Sequence, residues 1–144
     1  MIIYQLALLG AAAGMEPTAC PPDGSDQPLK EIIGADNSTN VDRVIGLYSD
    51  DPIWIPPSAP PLRGLASLRK SYTDMYAEFD PHLTITTGRV RIGAGVATVT
   101  GRTSGFLNRR DKSGRKDVHD NFEAVVVCDH GKWRVASLRW WPQK

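Results

Sequence analysis

The first half of the chain carries apolar residues at helical spacing, and the second half alternates apolar and polar residues with a period of two. A short helix is predicted from Pro28, which suits a first turn, to about Asn37. A second helix is predicted from about Val41 to Tyr48, and a third over residues 65–79, where apolar residues recur every three or four positions. Four strands rich in Val, Thr and aromatic residues are then predicted, over residues 83–92, 94–106, 116–128 and 132–141.

The turns between these strands favour hairpins between antiparallel neighbours. They are centred on residues 93–95, on a longer loop around residues 112–114, and on residues 129–131, and each contains glycine. Helices followed by such a meander are the order of an α+β fold. A curved antiparallel sheet wrapped around the N-terminal helices would bury one face and enclose a cone-shaped hollow.

The N-terminal residues 1–27, an apolar segment followed by a Pro/Gly/Ser/Asp linker from Met15 to Gln27, differ in character from the domain predicted over residues 28–144. Met1 to Ala13 is apolar and rich in Leu and Ala, and it resembles the central region of a secretory signal, although a positively charged start is missing. The segment is too short to span a bilayer comfortably, so no membrane span is expected. Two interpretations stay open: export to the periplasm or the medium, or an uncleaved arm on a cytoplasmic protein.

Composition and charge narrow the function classes. The chain has 144 residues, enough for one domain with one core, and 41% of them are hydrophobic. The formal net charge of +1 gives no overall basic field, so no nucleic-acid partner is expected. Six basic residues nevertheless cluster between Arg102 and Lys116, around a polar hairpin loop. They are either a solvated loop or a contact for phosphate or another acidic ligand.

The spacing of the cysteine and histidine residues indicates no particular chemistry. Two cysteines do not make a disulfide framework, and Cys128 at the end of an apolar strand is expected to be a small buried residue, with Cys20 in a Pro-rich tail. No His, Cys or carboxylate spacing suits a metal, and the glycines near residues 93–95 belong to a turn rather than a phosphate-binding loop. No metal and no cofactor are expected.

The stretch from Leu47 to Gly64 is the most informative segment. It indicates the end of a helix, a carboxylate pair (Asp50 and Asp51), a short apolar strand, a stiff turn and a new helix start. The carboxylate pair favours turn and capping chemistry. Five prolines within ten residues each fix φ and remove a donor, so the turn is rigid. A segment this stiff is expected to shape the mouth of a cavity.

This stretch, with the sequence LYSDDPIWIPP and a later Gly64, resembles the SnoaL-like and SgcJ/EcaC-like members of the nuclear transport factor 2-like, ketosteroid isomerase-like superfamily. The resemblance extends over roughly residues 29–141. It implies the cystatin-like α+β cone described above and a small-molecule pocket inside it. It says little about activity, because this fold hosts enzymes, carriers and interaction modules.

Strand alternation places two different sets of side chains on the two faces of the last hairpin. One face is mixed polar and aromatic, and Ser137, Arg139 and Trp141 are expected opposite Glu123, Asn121 and His119 respectively. The other face is nearly all apolar, with Phe122, Ala124, Val126 and Cys128. We expect the polar face to point into the cone, with the apolar face covered by a second copy in a homodimer. The alternative is an apolar core face and a solvated polar face.

The polar face, if it points inward, predicts a binding pocket. His119 and Glu123 are the candidate general bases, and Asn121 and Arg139 would orient a ligand. The apolar walls would come from aromatic residues: Trp54, Tyr72 and Trp141. The competing interpretations are a purely structural Glu123–Arg139 ion pair and a solvent-exposed His119.

The resemblance also bears on mechanism. Tyr48, Tyr72 and Trp141 correspond to aromatic residues that line or support the pocket of ketosteroid isomerases, and Glu123 falls near an oxyanion-binding acid. The catalytic base of those enzymes corresponds to Pro56, and their oxyanion tyrosine corresponds to Ile32. Neither side chain can move a proton, so the ketosteroid isomerase mechanism is disfavoured. SnoaL-type cyclases keep an acid on the strand that here contains Asp120 and Glu123.

The sequence thus predicts a protein that binds a small, partly apolar organic molecule. If it is an enzyme, a cofactor-free isomerase, dehydratase or cyclase is the expected class. The first alternative is a non-catalytic dimeric carrier or interaction module. A second alternative, an exported stress or scavenging protein, depends only on the apolar N-terminal segment.

Overall fold

A computed structural model of the protein describes residues 19–144, so the apolar segment at residues 1–13 lies outside the described residues. A single 3-10 turn at Pro22–Gly24 precedes three helices: α1 (Gln27–Asn37), α2 (Val41–Ile45) and α3 (Leu65–Glu78). The strands are β1 (Tyr48–Ile55), β2 (Leu62–Arg63), β3 (Phe79–Gly93), β4 (Val96–Arg109), β5 (Arg115–Asp129) and β6 (Lys132–Pro142).

All six strands form one sheet in the order β2-β1-β6-β5-β4-β3. From β3 to β6 the strands are consecutive antiparallel neighbours, as the meander predicted. The sheet is mixed rather than wholly antiparallel, because β1 lies parallel to β6 and carries β2 at its far edge. Helices before a curved sheet confirm the predicted α+β class.

Local sequence explains where the helices begin and end. Pro28 occupies the first turn of α1, and the Asn40 side chain caps α2 by accepting a hydrogen bond from the Arg43 backbone N–H at 3.0 Å. α2 ends at Ile45, earlier than predicted, because the chain turns at Gly46 and Tyr48 already belongs to β1. α3 ends at Glu78 and gives way to extended backbone at Phe79, two residues before Pro81.

The orientation expected for the β5–β6 hairpin is wrong. Phe122, Ala124 and Val126 face the helices and are 3%, 0% and 0% exposed, and they belong to the main core cluster with Leu29, Ile32 and Leu68. The alternating polar side chains, among them His119 and Glu123, are exposed. The physical reason is that burial of the apolar set is favourable, whereas burial of the polar set would need partners for every charge. The apolar face is therefore the core, and it is not available to a second copy.

The expected register of that hairpin is also wrong by two residues. Glu123 pairs with Arg139 and Asn121 with Trp141. The turn contains only His130 and Gly131, at φ of 51° and 81°, so Asp129 pairs directly with Lys132. An irregularity then places Ala136 as an extra residue, since Val126 pairs with Val135 but Val125 pairs with Ser137.

A disulfide joins Cys20 to Cys128 across 108 positions of sequence, so the expectation of two unconnected cysteines is wrong. The segment after Cys20 is attached at two further points. The Trp133 indole donates to the Pro21 carbonyl oxygen at 2.8 Å, and the Thr87 hydroxyl donates to the Asp26 carboxylate at 3.0 Å. Residues 20–26, predicted as a linker, are thus bound to the sheet.

Residues 19–144 offer neither a membrane-spanning helix nor a cluster of metal-binding side chains. None of the helices there is long and apolar enough to cross a membrane. The same residues contain no group of three or more His, Cys, Asp or Glu side chains that could hold a metal ion.

Candidate functional site

An aromatic cluster lies on the helix-facing side of the sheet, where β1 meets α3. Tyr48 begins β1, Trp54 follows on the same strand, and Tyr72 lies in the middle of α3. The hydroxyl oxygens of Tyr48 and Tyr72 are 2.6 Å apart, and the Trp54 indole donates to the Tyr48 oxygen at 3.2 Å. The Trp54 ring packs against Tyr72 at 4.9 Å and edge-on against Trp140 at 4.8 Å between centroids. The cluster is thus apolar at its walls and hydrogen-bonded at its centre.

One donor hydrogen of this aromatic cluster is not used in a hydrogen bond among residues 19–144. Two hydroxyls and one indole supply three donor hydrogens, but they form only two hydrogen bonds among residues 19–144. Whichever tyrosine donates to the other, one hydroxyl hydrogen has no acceptor there. Burial raises the pKa of both the Tyr48 and the Tyr72 hydroxyl, so both stay protonated. A buried hydroxyl hydrogen without an acceptor is uncommon in a protein core.

A buried carboxyl lies beside this cluster. Asp36, in the last turn of α1, is 6% exposed and accepts a hydrogen bond from the Tyr76 hydroxyl at 2.6 Å. Burial raises the pKa of Asp36 to about 7, and the Tyr76 hydroxyl opposes this increase because it stabilises the charged form. The carboxyl therefore changes its protonation near neutral pH. Such a group can act as an acid or as a base.

A second carboxyl belongs to the same face of the sheet. Asp120 precedes Phe122 by two residues on β5, so alternation places it on the helix-facing side. Burial raises its pKa, while the positive charges of Lys116 and His119 oppose the increase. Asp120 is one of the two acids that the resemblance to SnoaL-type cyclases indicated, and the other, Glu123, lies on the opposite face.

The structure divides the predicted site residues between the two faces of the sheet. Tyr48, Trp54 and Tyr72 come together as expected. The remaining five lie on the outer face: His119, Asn121, Glu123, Arg139 and Trp141. One chain therefore does not form the single pocket that was to combine both sets.

On the outer face, Glu123 and Arg139 are neighbours in register, but no ion pair joins them in the part of the chain that the structure describes. The Arg139 guanidinium instead lies over the Trp141 ring, 5.2 Å from its centroid. Glu123 lines a shallow cleft of about 260 Å³ together with Arg89 and Arg91. The predicted structural ion pair is thus absent between these two residues.

Two residues of the inner site, Asp36 and Tyr76, were not predicted. The signal for Asp36 is its position, because it falls on the apolar face of α1, seven residues after Leu29 and four after Ile32. A carboxylate at such a position must be buried with a partner. Tyr76 lies one helical turn after Tyr72, so it extends the buried stripe of α3 towards Asp36.

The six-stranded curved sheet, the helices before it and the aromatic cluster between them define an α+β fold with a candidate site inside it. No protein-family sequence model and no curated protein sequence matches the chain. Solved structures do match it. A ketosteroid isomerase-like protein from Erwinia carotovora atroseptica superposes with a TM-score of 0.74 at 18% identity, over 81% of this chain and 91% of that one.

Two further solved structures support the same fold. An NTF2-like family protein from Streptomyces avermitilis, proposed to be a dehydratase, gives a TM-score of 0.73 at 12% identity, over 85% of this chain and 95% of that one. An NTF2-like protein of unknown function from Shewanella oneidensis gives 0.68 at 19% identity, over 82% of this chain and 96% of that one. The fold that the resemblance implied is therefore confirmed.

Proposed function

We propose that the protein binds a small, partly apolar organic molecule that presents a carbonyl or similar oxygen to the Tyr48–Tyr72 pair. The single observation that carries this proposal is the unassigned hydroxyl hydrogen in a buried aromatic cluster. A hydrogen-bond donor of this kind is costly in a core unless something accepts from it. Trp54, Trp140 and Tyr72 would pack against the apolar part of the molecule.

We propose further that Asp36 takes part in any turnover as a proton donor or acceptor. Its carboxyl is held by Tyr76, whose ring lies 5.7 Å from that of Tyr72. A donor that stabilises a developing enolate and a carboxyl that exchanges a proton near pH 7 would suffice for a cofactor-free isomerase, dehydratase or cyclase. The Streptomyces relative proposed to be a dehydratase is consistent with this class. Pro56 and the buried Ile32 argue against the ketosteroid isomerase arrangement.

The non-catalytic alternative is a dimeric carrier or interaction module. A homodimer through the sheet would now use the outer face, where Trp141 is half-buried beside Arg139. Trp141→Glu would then lower the molar mass measured by light scattering from two copies to one. A wild-type protein with the molar mass of a single copy would rule the homodimer out.

We also propose that the protein works in an oxidising compartment, such as the periplasm or the medium. Disulfides persist there and are rare in the cytosol, and Cys20–Cys128 is well placed to hold residues 20–26 on the sheet. N-terminal sequencing and thiol labelling of protein from the native cell would test this. Intact Met1 together with two reactive thiols would contradict it.

The binding proposal can be tested with three variants, one of which is a control on the outer face. Tyr72→Phe removes a hydroxyl and keeps the ring, and Trp54→Phe removes the indole donor, while Trp141→Phe makes the same chemical change on the outer face. A thermal-shift screen of small ketones, enones and their hydrocarbon analogues would identify ligands, and calorimetry would measure their affinities.

We expect the ketone to bind more tightly than its hydrocarbon analogue, and Tyr72→Phe to weaken the ketone by about three- to tenfold, the size of one neutral hydrogen bond. Trp141→Phe should leave the affinity unchanged. Equal binding of ketone and hydrocarbon, or equal losses in the Tyr72 and Trp141 variants, would contradict the proposal.

A further inference from the structure

A second cleft lies at the turn of the β4–β5 hairpin, beside the start of β3. Its volume is about 590 Å³, within the range of small-molecule sites in proteins. It is lined by seven residues: Asp80, Asn108, Arg109, Arg110, Lys112, Gly114 and Arg115. Four of these carry a positive charge and one carries a negative charge, so the lining itself is strongly basic.

Neighbouring carboxylates neutralise only part of this charge. Glu78 pairs with Arg109 at 3.0 Å, and Asp117 pairs with Arg115 at 3.3 Å. Asp80 is paired with the His82 ring at 3.1 Å. Arg110 and Lys112 have no carboxylate within ion-pair distance among residues 19–144.

Asp111, the loop carboxylate between Arg110 and Lys112, bonds within its own turn and does not line the cleft. Asp111 accepts a hydrogen bond from the Ser113 backbone N–H at 2.9 Å, and it is not among the lining residues. Hydrogen bonding from the Ser113 side chain, and then from its backbone N–H, lowers the pKa of Asp111, so the carboxylate stays charged and stays engaged with its own turn. Two cations of the cleft are thus left for an external anion.

Three of the guanidinium groups are held in place before any ligand arrives. The Arg110 Nε donates to the Tyr76 carbonyl oxygen at 2.6 Å, which leaves its terminal N–H groups directed away from that bond. Arg109 lies over the Phe79 ring at 5.0 Å, and Arg115 lies over the Phe106 ring at 4.7 Å. Because these side chains have already lost much of their rotamer freedom, an anion would bind without that entropic cost.

We propose that this cleft binds the phosphate group of a small phosphorylated molecule. Fixed guanidinium groups match the geometry of phosphate oxygens, and a mobile lysine adds a point charge. The volume leaves room for an organic group the size of a sugar beside the phosphate. A nucleic-acid backbone is a poorer fit, since the basic residues of the cleft lie at one hairpin turn and the net charge of the whole chain is only +1.

The test is a titration of the full-length protein with inorganic phosphate and then with sugar phosphates and nucleoside monophosphates, at low ionic strength. Amide chemical shifts of Lys112 and Gly114 report on the site directly, and calorimetry gives the affinity. The variants are Arg110→Gln and Lys112→Gln. Lys132→Gln is the matched control. It removes the same charge from the first residue of β6, which pairs with the opposite end of β5.

We expect saturable shifts with phosphate and tighter binding of at least one ester. Arg110→Gln should weaken binding by about tenfold or more, and Lys112→Gln by about threefold to tenfold, as charge-assisted hydrogen bonds and a point charge imply. Lys132→Gln should change the affinity less than twofold. Arg110→Gln also removes the hydrogen bond to the Tyr76 carbonyl oxygen, and its loss can prevent folding. In that case Lys112→Gln alone tests the proposal.

Three outcomes would overturn the proposal. The first is an absence of saturation with phosphate and with every ester. The second is an equal loss of affinity in the Lys112 and Lys132 variants. The third is tighter binding of a short oligonucleotide than of any monoester, which would make the cleft part of a nucleic-acid surface.

Discussion

The buried Asp36 makes a prediction about stability that can be worked out in magnitude. Its pKa is about 7 in the folded protein and 3.8 for an ordinary aspartate. Between these values the folded state holds a proton that the unfolded state has released. The stabilisation is therefore fully present below about pH 4 and is lost as the pH rises through 7. The two pKa values differ by about three, so the free energy of unfolding falls by an amount on the order of 4 kcal/mol.

Asp36→Asn isolates this effect. The Asn side-chain oxygen can still accept from the Tyr76 hydroxyl, and its amide cannot ionise, so the variant imitates the protonated carboxyl at every pH. We expect wild type and variant to have similar stability near pH 4. At pH 8 the variant should be more stable than wild type by up to about 4 kcal/mol.

Urea denaturation followed by circular dichroism at several pH values between about 4 and 8.5 measures this difference. The comparison cancels the titration of other groups, including Asp120, because both proteins contain them. Asp74→Asn is the control, since Asp74 is exposed and paired with Lys70 on the same helix. Parallel pH profiles for wild type and Asp36→Asn, or a variant that is less stable at pH 8, would refute the reasoning.

Two further predictions concern the Cys20–Cys128 disulfide and the close approach of Gly105 to the backbone of β3. Cys20→Ala should lower the free energy of unfolding by about 5 kcal/mol, the chain-entropy value for a loop closed across 108 positions, and reductant should lower the melting temperature of wild type but not of the variant. A variant as stable as wild type would contradict this. Gly105→Ala should cost about 3 kcal/mol, because Gly105 has φ of 133° and an added Cβ would collide with the His82 carbonyl oxygen. Gly93→Ala, where a Cβ meets open space, is its control, and equal losses in denaturation would count against the explanation.

The sequence predicted the elements of the fold well and their inner and outer faces poorly. Apolar spacing located α3, and alternation located β3 to β6, because these signals depend on neighbours along the chain. The choice of buried face on β5 depends on what the whole sheet covers. The expectation of a polar pocket gave too little weight to Phe122, Ala124 and Val126, whose burial is the larger energetic effect.

Irregularities explain other differences. The extra residue at Ala136 lets Val135 and Leu138 serve the same core although they are three apart, which strict alternation forbids. The parallel pairing of β1 with β6 and the Cys20–Cys128 bridge join residues far apart in sequence. Such contacts depend on the tertiary path, and no local pattern encodes it.

The candidate site was predictable where aromatic residues mark it. Trp54 and Tyr72 are predicted from the stiff segment and the helical stripe, Tyr48 is predicted from the resemblance, and the three do meet. Asp36 was overlooked because a single carboxylate in a short helix resembles an ordinary surface residue. Its partner Tyr76 lies 40 residues later, so only the folded chain reveals that the position is buried.

The bridge between Cys20 and Cys128 also changes how damage to the chain would appear. A protease that cuts any loop between these two residues leaves the two pieces joined, so a nicked molecule migrates as one species on a gel run without reductant. Exposed loop tips such as residues 111–114 are where such cuts concentrate. Digestion maps of this protein will therefore show its cleavage sites only after the sulfur–sulfur bond has been reduced.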